Sequence, residues 1–393
     1  MDFRDSPEEA AFRAELRSWI ATNLPEGWHA RAPTRGRADD SIARRWSKKL
    51  SDAGYAGLTW PTEVGGAGAP YTHQAILLEE MARAEAPEPI GVIGLGMAGP
   101  TIIAHGTDAQ KARYLRPILS GEEVWCQGFS EPGAGSDLAS LRSRAVLDGD
   151  HFVVNGQKVW SSFAHIADHC ILMVRTDPDA PKHRGITYLL ADMHAPGVEV
   201  RPLRQITGDP EFNEIFFTDA RVPVGNVVGE VNDGWRVAMT TLLHERGTLG
   251  FALTARLEVA MSKLVALVRE ARIDGRSAAD DALIRDAVAQ RWIELQALKL
   301  TNYRALSTLM KTGIPGPEGS VAKLHWSESN QKLTKLALQV LGPNAQLDGD
   351  DGTWGGYWQY LQLRSRGNTI EAGTSEILRN IISERVLGLP RSR

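Results

Sequence analysis

Four stretches of this 393-residue chain carry side chains that could hold a ligand or move a proton. In Ser130-Glu131-Pro132-Gly133-Ala134-Gly135-Ser136, the glycines let backbone approach a bulky ligand. Consecutive N–H groups there can form an anion-binding nest, and Ser130 and Ser136 add short donors; an ordinary polar turn is the other reading. Trp160 offers an aromatic face and Ser162 a hydroxyl. Residues two apart on a strand share a face, so both could meet one side of a planar ring. A core tryptophan beside a solvent serine is the alternative. Gly373-Thr374-Ser375 precedes an amphipathic helix bearing Ile377, Ile381, Val386 and Leu387. Thr374 is its N-cap, and a helix start suits a phosphate or polar group. Glu245 is the fourth. At about 100° per residue it shares a stripe with Ala238, Leu242 and Leu249, with His244 on the opposite face. A carboxylate on an apolar stripe is desolvated, which raises its pKa toward that of a working base. A buried ion pair with an arginine is the other outcome.

The elements that must position these residues fall into three textures. The first ~120 residues read as helices. Ser6-Pro7-Glu8-Glu9 is a capping box with Pro at the first helical position, and Phe12, Leu16, Trp19 and Ile20 recur behind it until Pro25. A second helix carries Ile42, Trp46 and Leu50 and stops at Gly54. From Val124 to Val231 short alternating runs appear, such as His151-Phe152-Val153-Val154 and Ile186-Thr187-Tyr188-Leu189-Leu190. Asp148-Gly149 and Asn155-Gly156 read as hairpin turns between them. After Asn232-Asp233-Gly234, periodic helical segments run from Trp235 to Ala271, Ala282 to Met310 and Ser320 to Leu341. The expected class is α+β: an N-terminal α-helical domain over 1–121, a small β-barrel or sandwich over 122–231, and a C-terminal four-helix bundle over 232–393.

Composition narrows the function. A 42% apolar and 23% charged chain is ordinary globular protein, and a net charge of -4 offers no basic footprint for nucleic acid. Two cysteines, Cys126 and Cys170, form no disulfide framework, which suits a reducing compartment. The acidic, polar start is unlike a signal peptide, and no apolar run approaches the ~20 residues of a membrane span. A cytoplasmic protein is expected. His165 and His169 are four apart but lack a third ligand, so no metal is expected. Gly91-Val92-Ile93-Gly94-Leu95-Gly96 lacks the preceding strand of a dinucleotide loop and reads as helix packing.

Three blocks carry a resemblance. They are Trp125-Cys126-Gln127-Gly128-Phe129-Ser130-Glu131-Pro132-Gly133-Ala134-Gly135-Ser136-Asp137, then Val154-Asn155-Gly156-Gln157-Lys158-Val159-Trp160-Ser161-Ser162, then Gly367 to Asn380 around Glu371-Ala372-Gly373-Thr374-Ser375-Glu376. In order and separation they resemble the acyl-CoA dehydrogenase family across essentially the whole chain. The resemblance implies an FAD-dependent enzyme that desaturates an acyl-CoA between its α and β carbons. It implies that Ser130 bonds the flavin ring and that Gly135 and Ser136 lie by the pyrophosphate, Ser136 also by the CoA arm. It further implies that Trp160 packs on the isoalloxazine, with Ser162 standing where the family has a threonine near N5. Thr374 and Glu376 would contact the cofactor, and Gln339 and Gly342 would reach the flavin of a neighbouring subunit. A homotetramer or heterotetramer and an electron-transfer flavoprotein as acceptor follow from the family alone.

Many family members place the catalytic glutamate directly before the Gly-Thr of the last block. Here that position is Ala372, with Glu371 one residue early. Other members place it on a helix before an arginine, as in Leu243-His244-Glu245-Arg246-Gly247. The expected base is Glu245, with Arg246 in the substrate region and the Ala372 N–H as a donor to the thioester carbonyl. The family's R-x-x-F-G motif is missing: its region reads Arg269-Glu270-Ala271-Arg272-Ile273-Asp274-Gly275-Arg276. Such versions occur in branches acting on bulky, branched or steroid side-chain substrates, some built from two different subunits. Two other readings stay open: a non-catalytic or flavin-sharing partner subunit, and an acyl-CoA oxidase or flavin monooxygenase on the same fold.

Overall fold

The structure, a computed structural model, describes residues 4–26, 28, 40–247, 249–313 and 316–391. The chain begins with α1 (Pro7–Asn23), α2 (Asp40–Asp52) and α3 (Tyr71–Arg83), then a π-helical turn (Gly94–Ala98) that runs into α4 (Gly99–His105), and α5 (Asp108–Ser120). Strands follow: β1 (Trp125–Gly128), β2 (Arg144–Asp148), β3 (His151–Lys158), β4 (His169–Arg175), β5 (Ile186–Asp192), β6 (Val198–Leu203) and β7 (Phe212–Pro223). The remainder is α6 (Gly234–Gly247), α7 (Leu249–Glu270), the hairpin β8–β9 (Arg272–Ile273 and Arg276–Ser277), α8 (Ala282–Thr312), α9 (Glu318–Leu341), α10 (Tyr357–Asn368) and α11 (Ser375–Ile381). Helix, sheet, helix is the expected α+β order. The elements form two compact units: one holds α2, α4, α5, strands β1–β7 and α6, the other α1, α3 and α7–α11.

In the sheet unit the strand order is β1-β4-β2-β3-β7-β6, with β5 paired to β4 off that path. Strand β4 is apolar without alternation because both its faces are covered. Ile171 and Met173 join Trp125, Tyr188, Ile102, Ile118 and Val237 in one core, while Cys170, Leu172 and Val174 join Phe152, Val154, Ile215 and Phe217 in another. Asp148-Gly149 makes the expected β2–β3 hairpin, with Gly149 at φ 62°. Asn155-Gly156 does not turn. It lies inside β3 opposite a register shift in β7, where Asp219 takes φ 50° and exchanges two hydrogen bonds with the Asn155 carboxamide. Gly156 is required there because a Cβ would sit 2.4 Å from Ser143 Oγ, the close approach that marks a strand glycine. The Gly91–Gly96 run is helical and ends in the π turn, as packing predicts. A Cβ on neighbouring Gly99 would lie 2.1 Å from the Trp60 ring.

In the helical unit α7, α8, α9 and α10 share a core of Leu264, Leu295, Leu298, Leu333, Ala337 and Trp358. The Ser6–Glu9 capping box opens α1 as expected. Charges tie α1 to α3. Arg13 reaches Asp5, Glu79 and Glu80, and Arg17 also reaches Glu80, whose side chain is 4% exposed. Burial raises the Glu80 carboxyl, but Arg17 and Arg13 outweigh it and hold its pKa below the ordinary value. A depressed folded pKa adds stability above the unfolded carboxylate value, and that stability is lost as pH falls through the folded one. Glu80→Gln is therefore expected to cost about 2 kcal/mol at neutral pH. Melting curves of the two proteins should converge on acidification.

Helix α8 turns apolar side chains outward: Trp292, Ile293, Leu300 and Met310 are all exposed and fall within about 100° of arc. No helix among the described residues is long and apolar enough to cross a membrane, and none of their side chains form a cluster of three or more metal-ligating groups. His165 and His169 share no helix: one is on a 3-10 turn, the other on β4 beside Tyr114 and Trp125.

Candidate functional site

The sheet unit holds the first two blocks together through a buried ion pair that sequence reasoning missed. Lys158, fully buried at the end of β3, places Nζ 2.8 Å from Glu131 Oε1 and 3.1 Å from the Phe129 carbonyl. The Glu131 carboxylate also accepts from the backbone N–H groups of Arg142 and Ser143. Burial alone would raise this carboxyl, yet the Lys158 charge and these hydrogen bonds hold it below the ordinary range. The pair clamps a tight turn in which Glu131 and Ala134 exchange both backbone bonds at 3.0 Å. Beyond the clamp, Gly133, Gly135 and Ser136 are exposed, and a Cβ at either glycine would meet nothing within 4 Å. Backbone there is open to a large ligand, as predicted.

The same clamp sets the neighbouring strand end. The Ser130 carbonyl accepts from Val159 N–H at 2.9 Å, which brings Ser130 beside Trp160. The expectation that Trp160 and Ser162 share a strand face needs correcting: β3 stops at Lys158, Trp160 lies in a bend and Ser162 in a turn. What exposes Trp160 is backbone strain instead of pleat. It takes φ 62°, and its side chain is 62% exposed against the Phe212 edge. A bulky residue held left-handed and bare is uncommon and gathers at ligand sites. The Ser130 and Ser162 hydroxyls have no hydrogen-bond partner among the described residues, so both remain available as donors.

Glu245 lies on α6, as its spacing predicts, one turn after Thr241. The side chains of Glu245 and Arg246 lie outside the described residues, as does that of Leu249. The stripe they extend is buried, with Val237 and Ala238 fully covered and Leu242 packed beside them.

The helical unit holds the third block. Thr374 caps α11 by accepting from Ile377 N–H at 3.2 Å, as predicted. Exposed Glu376 folds back onto its own backbone N–H and the Thr374 hydroxyl, which keep its carboxyl below the ordinary value. Both line an open cleft of about 550 Å³. Lys332, Lys335, Arg366 and Arg379 also line it, against only Glu328 and Glu376 as acids. The buried hydroxyl of Ser375, another lining residue, has no partner among the described residues. Gln339 and Gly342, at the far end of α9, are exposed and do not line this cleft.

The loop before Thr374 is strained and pinned. Ala372 takes φ 52° and Gly373 φ 96°, while Lys323 Nζ donates to the Asn368 and Gly373 carbonyls at 2.8 Å each. No described residue accepts from the Ala372 N–H. Glu371 is engaged: one oxygen takes a hydrogen bond from Arg364 at 2.9 Å and the other from Asn368 at 2.7 Å. It is a loop brace.

These donors suit a dinucleotide flavin. In the sheet unit, open glycine backbone, an exposed indole face and free hydroxyls suit a flavin ring and its pyrophosphate; taken by itself, the helical unit offers a cationic cleft with a buried hydroxyl unpartnered among the described residues, which suits a phosphate-bearing group.

Known proteins match along the chain. Residues 6–122 match the family described as Acyl-CoA dehydrogenase, N-terminal domain, 126–220 its middle domain, and 232–387 its C-terminal domain. A protein of Mycobacterium tuberculosis named Acyl-CoA dehydrogenase IpdE1 is 44% identical over 97% of each chain. Among solved structures, the Tcur3481-Tcur3483 steroid ACAD is similar with a TM-score of 0.89 and 33% identity over 100% of both chains. The ChsE4-ChsE5 complex from Mycobacterium tuberculosis is similar at 0.87 and 34%, again over 100% of both.

Proposed function

The chain belongs to the acyl-CoA dehydrogenase family, FAD-dependent oxidoreductases of acyl-CoA thioesters, and from that premise we propose that it desaturates a bulky, branched or steroid side-chain acyl-CoA with Glu245 as base. The observation that carries the base assignment is the double engagement of Glu371 by Arg364 and Asn368, with Ala372 where many members have the acid. Glu245, on the stripe of Val237, Ala238 and Leu242, is the glutamate left to take the α-proton. The substrate class draws support from the relatives, two of whose names mention steroid substrate or a two-protein assembly.

FAD, when bound, supplies the acceptor for the β-hydride. Ser130, Gly135, Ser136, Trp160 and Ser162 hold it in the sheet unit, and Thr374 and Glu376 do so in the helical unit. Gln339 and Gly342 serve the cofactor of a neighbouring subunit, Ser136 and Arg246 contact the CoA ester, and the Ala372 N–H donates to the thioester carbonyl as it gains enolate charge. The strained φ of Ala372 and its unpartnered N–H support that last role. Domain limits of 1–121, 122–231 and 232–393 fit these assignments, and a reducing cytoplasm suits two buried free cysteines. The acceptor of the electrons is an electron-transfer flavoprotein, and the assembly a homotetramer or heterotetramer.

Trp160→Ala should fold as the parent does, because the lost side chain is exposed and the left-handed backbone carries a Cβ in either case. It should hold FAD about tenfold more weakly, the worth of one aromatic stack, read by equilibrium dialysis of the apoprotein.

The missing R-x-x-F-G favours a second reading, a subunit that shares flavin with a different chain. Purified alone, such a subunit would be colourless and would gain flavin and activity together on adding its partner. The substrate claim is tested by assaying acyl-CoA thioesters from short-chain to steroid-derived with ferrocenium as acceptor. Preference for short straight chains would sink it, and rapid reoxidation of the reduced flavin by oxygen would mark an oxidase or monooxygenase instead.

A further inference from the structure

Helix α6 is buried by side chains that set its depth more than its register. Val237, Ala238 and Leu242 present small or smooth apolar surfaces, whose contacts change little if the helix slides slightly. Three hydroxyls beside them are less tolerant. Thr101 on α4, Tyr188 on β5 and Thr241 on α6 have no exposed surface. Tyr188 Oη lies 3.1 Å from Thr241 Oγ1, which lies 2.8 Å from Thr101 Oγ1. Thr101 Oγ1 donates at 2.7 Å to the carbonyl of Met97, in the π-helical turn. Thr241 Oγ1 also lies 3.3 Å from the Val237 carbonyl of its own helix; on the shorter contacts, the direction that uses every proton is Tyr188 to Thr241, Thr241 to Thr101, Thr101 to Met97. Burial raises the Tyr188 pKa, so the phenol stays a protonated donor. A half-buried contact, His105 Nε2 to Thr240 Oγ1 at 2.7 Å, ties the preceding residue of α6 to the end of α4.

Hydrogen bonds weaken steeply with distance and angle, and an unmade buried one is costly. The chain therefore has one good setting of α6, which apolar packing alone would not impose. Thr241 stands one turn before Glu245 on the same helix face. We propose that the Tyr188–Thr241–Thr101 hydroxyl chain is the positioning device that fixes the register of α6 and so aims Glu245 at the substrate's α-proton. This rests on Glu245 being the base. Thr101, Tyr188 and Thr241 act through α6 and do not touch substrate.

The test uses the assembled, flavin-loaded enzyme. Thr241→Val removes the central hydroxyl at nearly constant shape, Tyr188→Phe removes only the outer donor, and Thr241→Ser keeps the hydroxyl. Thr241→Val should lower kcat on the order of 100-fold, the cost of misplacing a reacting group by about 1 Å, with KM and flavin content little changed. Tyr188→Phe should lose about tenfold and Thr241→Ser at most about threefold. Amide hydrogen exchange of residues 234–247, measured without substrate, should speed up in the valine and phenylalanine variants and not in the serine one. Unchanged kcat and exchange in all three would overturn the proposal, as would a loss that serine fails to rescue. If Thr241→Val does not fold, Tyr188→Phe against Thr241→Ser decides. A fully active Glu245→Gln enzyme whose α6 still loosens in Thr241→Val would overturn the base assignment instead, and the two failures are thereby told apart.

Discussion

Glu245→Gln is expected to yield a folded, yellow protein that does not turn over. Glutamine keeps the size and still hydrogen-bonds through its amide but cannot take a proton, and a positioned general base contributes roughly 10²–10⁴ in rate. The loss should approach the upper figure, because the α-proton of a thioester is a weak acid and Glu371, the other candidate, is already engaged. Glu371 is held by Arg364 and Asn368, so Glu371→Gln should leave most of kcat while loosening the loop that carries Ala372. Single-turnover bleaching of the flavin by acyl-CoA separates the two. Bleaching that survives in the Glu245 variant and disappears in the Glu371 variant would reverse the assignment.

Lys158→Met should damage the fold and the cofactor loop together. The change removes the one ammonium that, among the described residues, meets the Glu131 carboxylate and leaves that carboxylate 9% exposed with two backbone donors. Breaking a buried pair from one side costs about 3–5 kcal/mol, far more than the intact pair adds relative to an apolar replacement. The turn carrying Ser130 to Ser136 is also released from the strand end that carries Trp160. A fall in melting temperature with weaker FAD binding is expected. The double change Lys158→Met with Glu131→Leu should recover much of the stability without recovering flavin affinity. Recovery of both would mean that the clamp serves the fold alone.

Much of the architecture could be read locally. Ser6-Pro7-Glu8-Glu9 and Gly373-Thr374-Ser375 announce their helices through bonds made within one turn of chain. Misreadings arose where a distant strand decides. Asn155-Gly156 has turn chemistry, but the residue with φ 50° opposite it is Asp219, on β7. Trp160 and Ser162 stay in phase with Phe152, Val154 and Lys158 of β3, and nothing local says that pairing ends at Lys158. Lys158 itself left a signal, since it is in phase with the buried Phe152 and Val154. Its partner, however, lies in another block. Lys332, Lys335, Arg366 and Arg379 look like the solvated faces of separate helices and become a cleft only when α9, α10 and α11 converge.

The outward-facing Trp292, Ile293, Leu300 and Met310 of α8 have a thermodynamic consequence. A partner that covered that ridge would recognise the folded helix and not the unravelled chain, so by mass action the melting point would climb with its concentration. In that case a dilute preparation of this polypeptide by itself would be its least durable form, and durability measured at one dilution would not carry over to another.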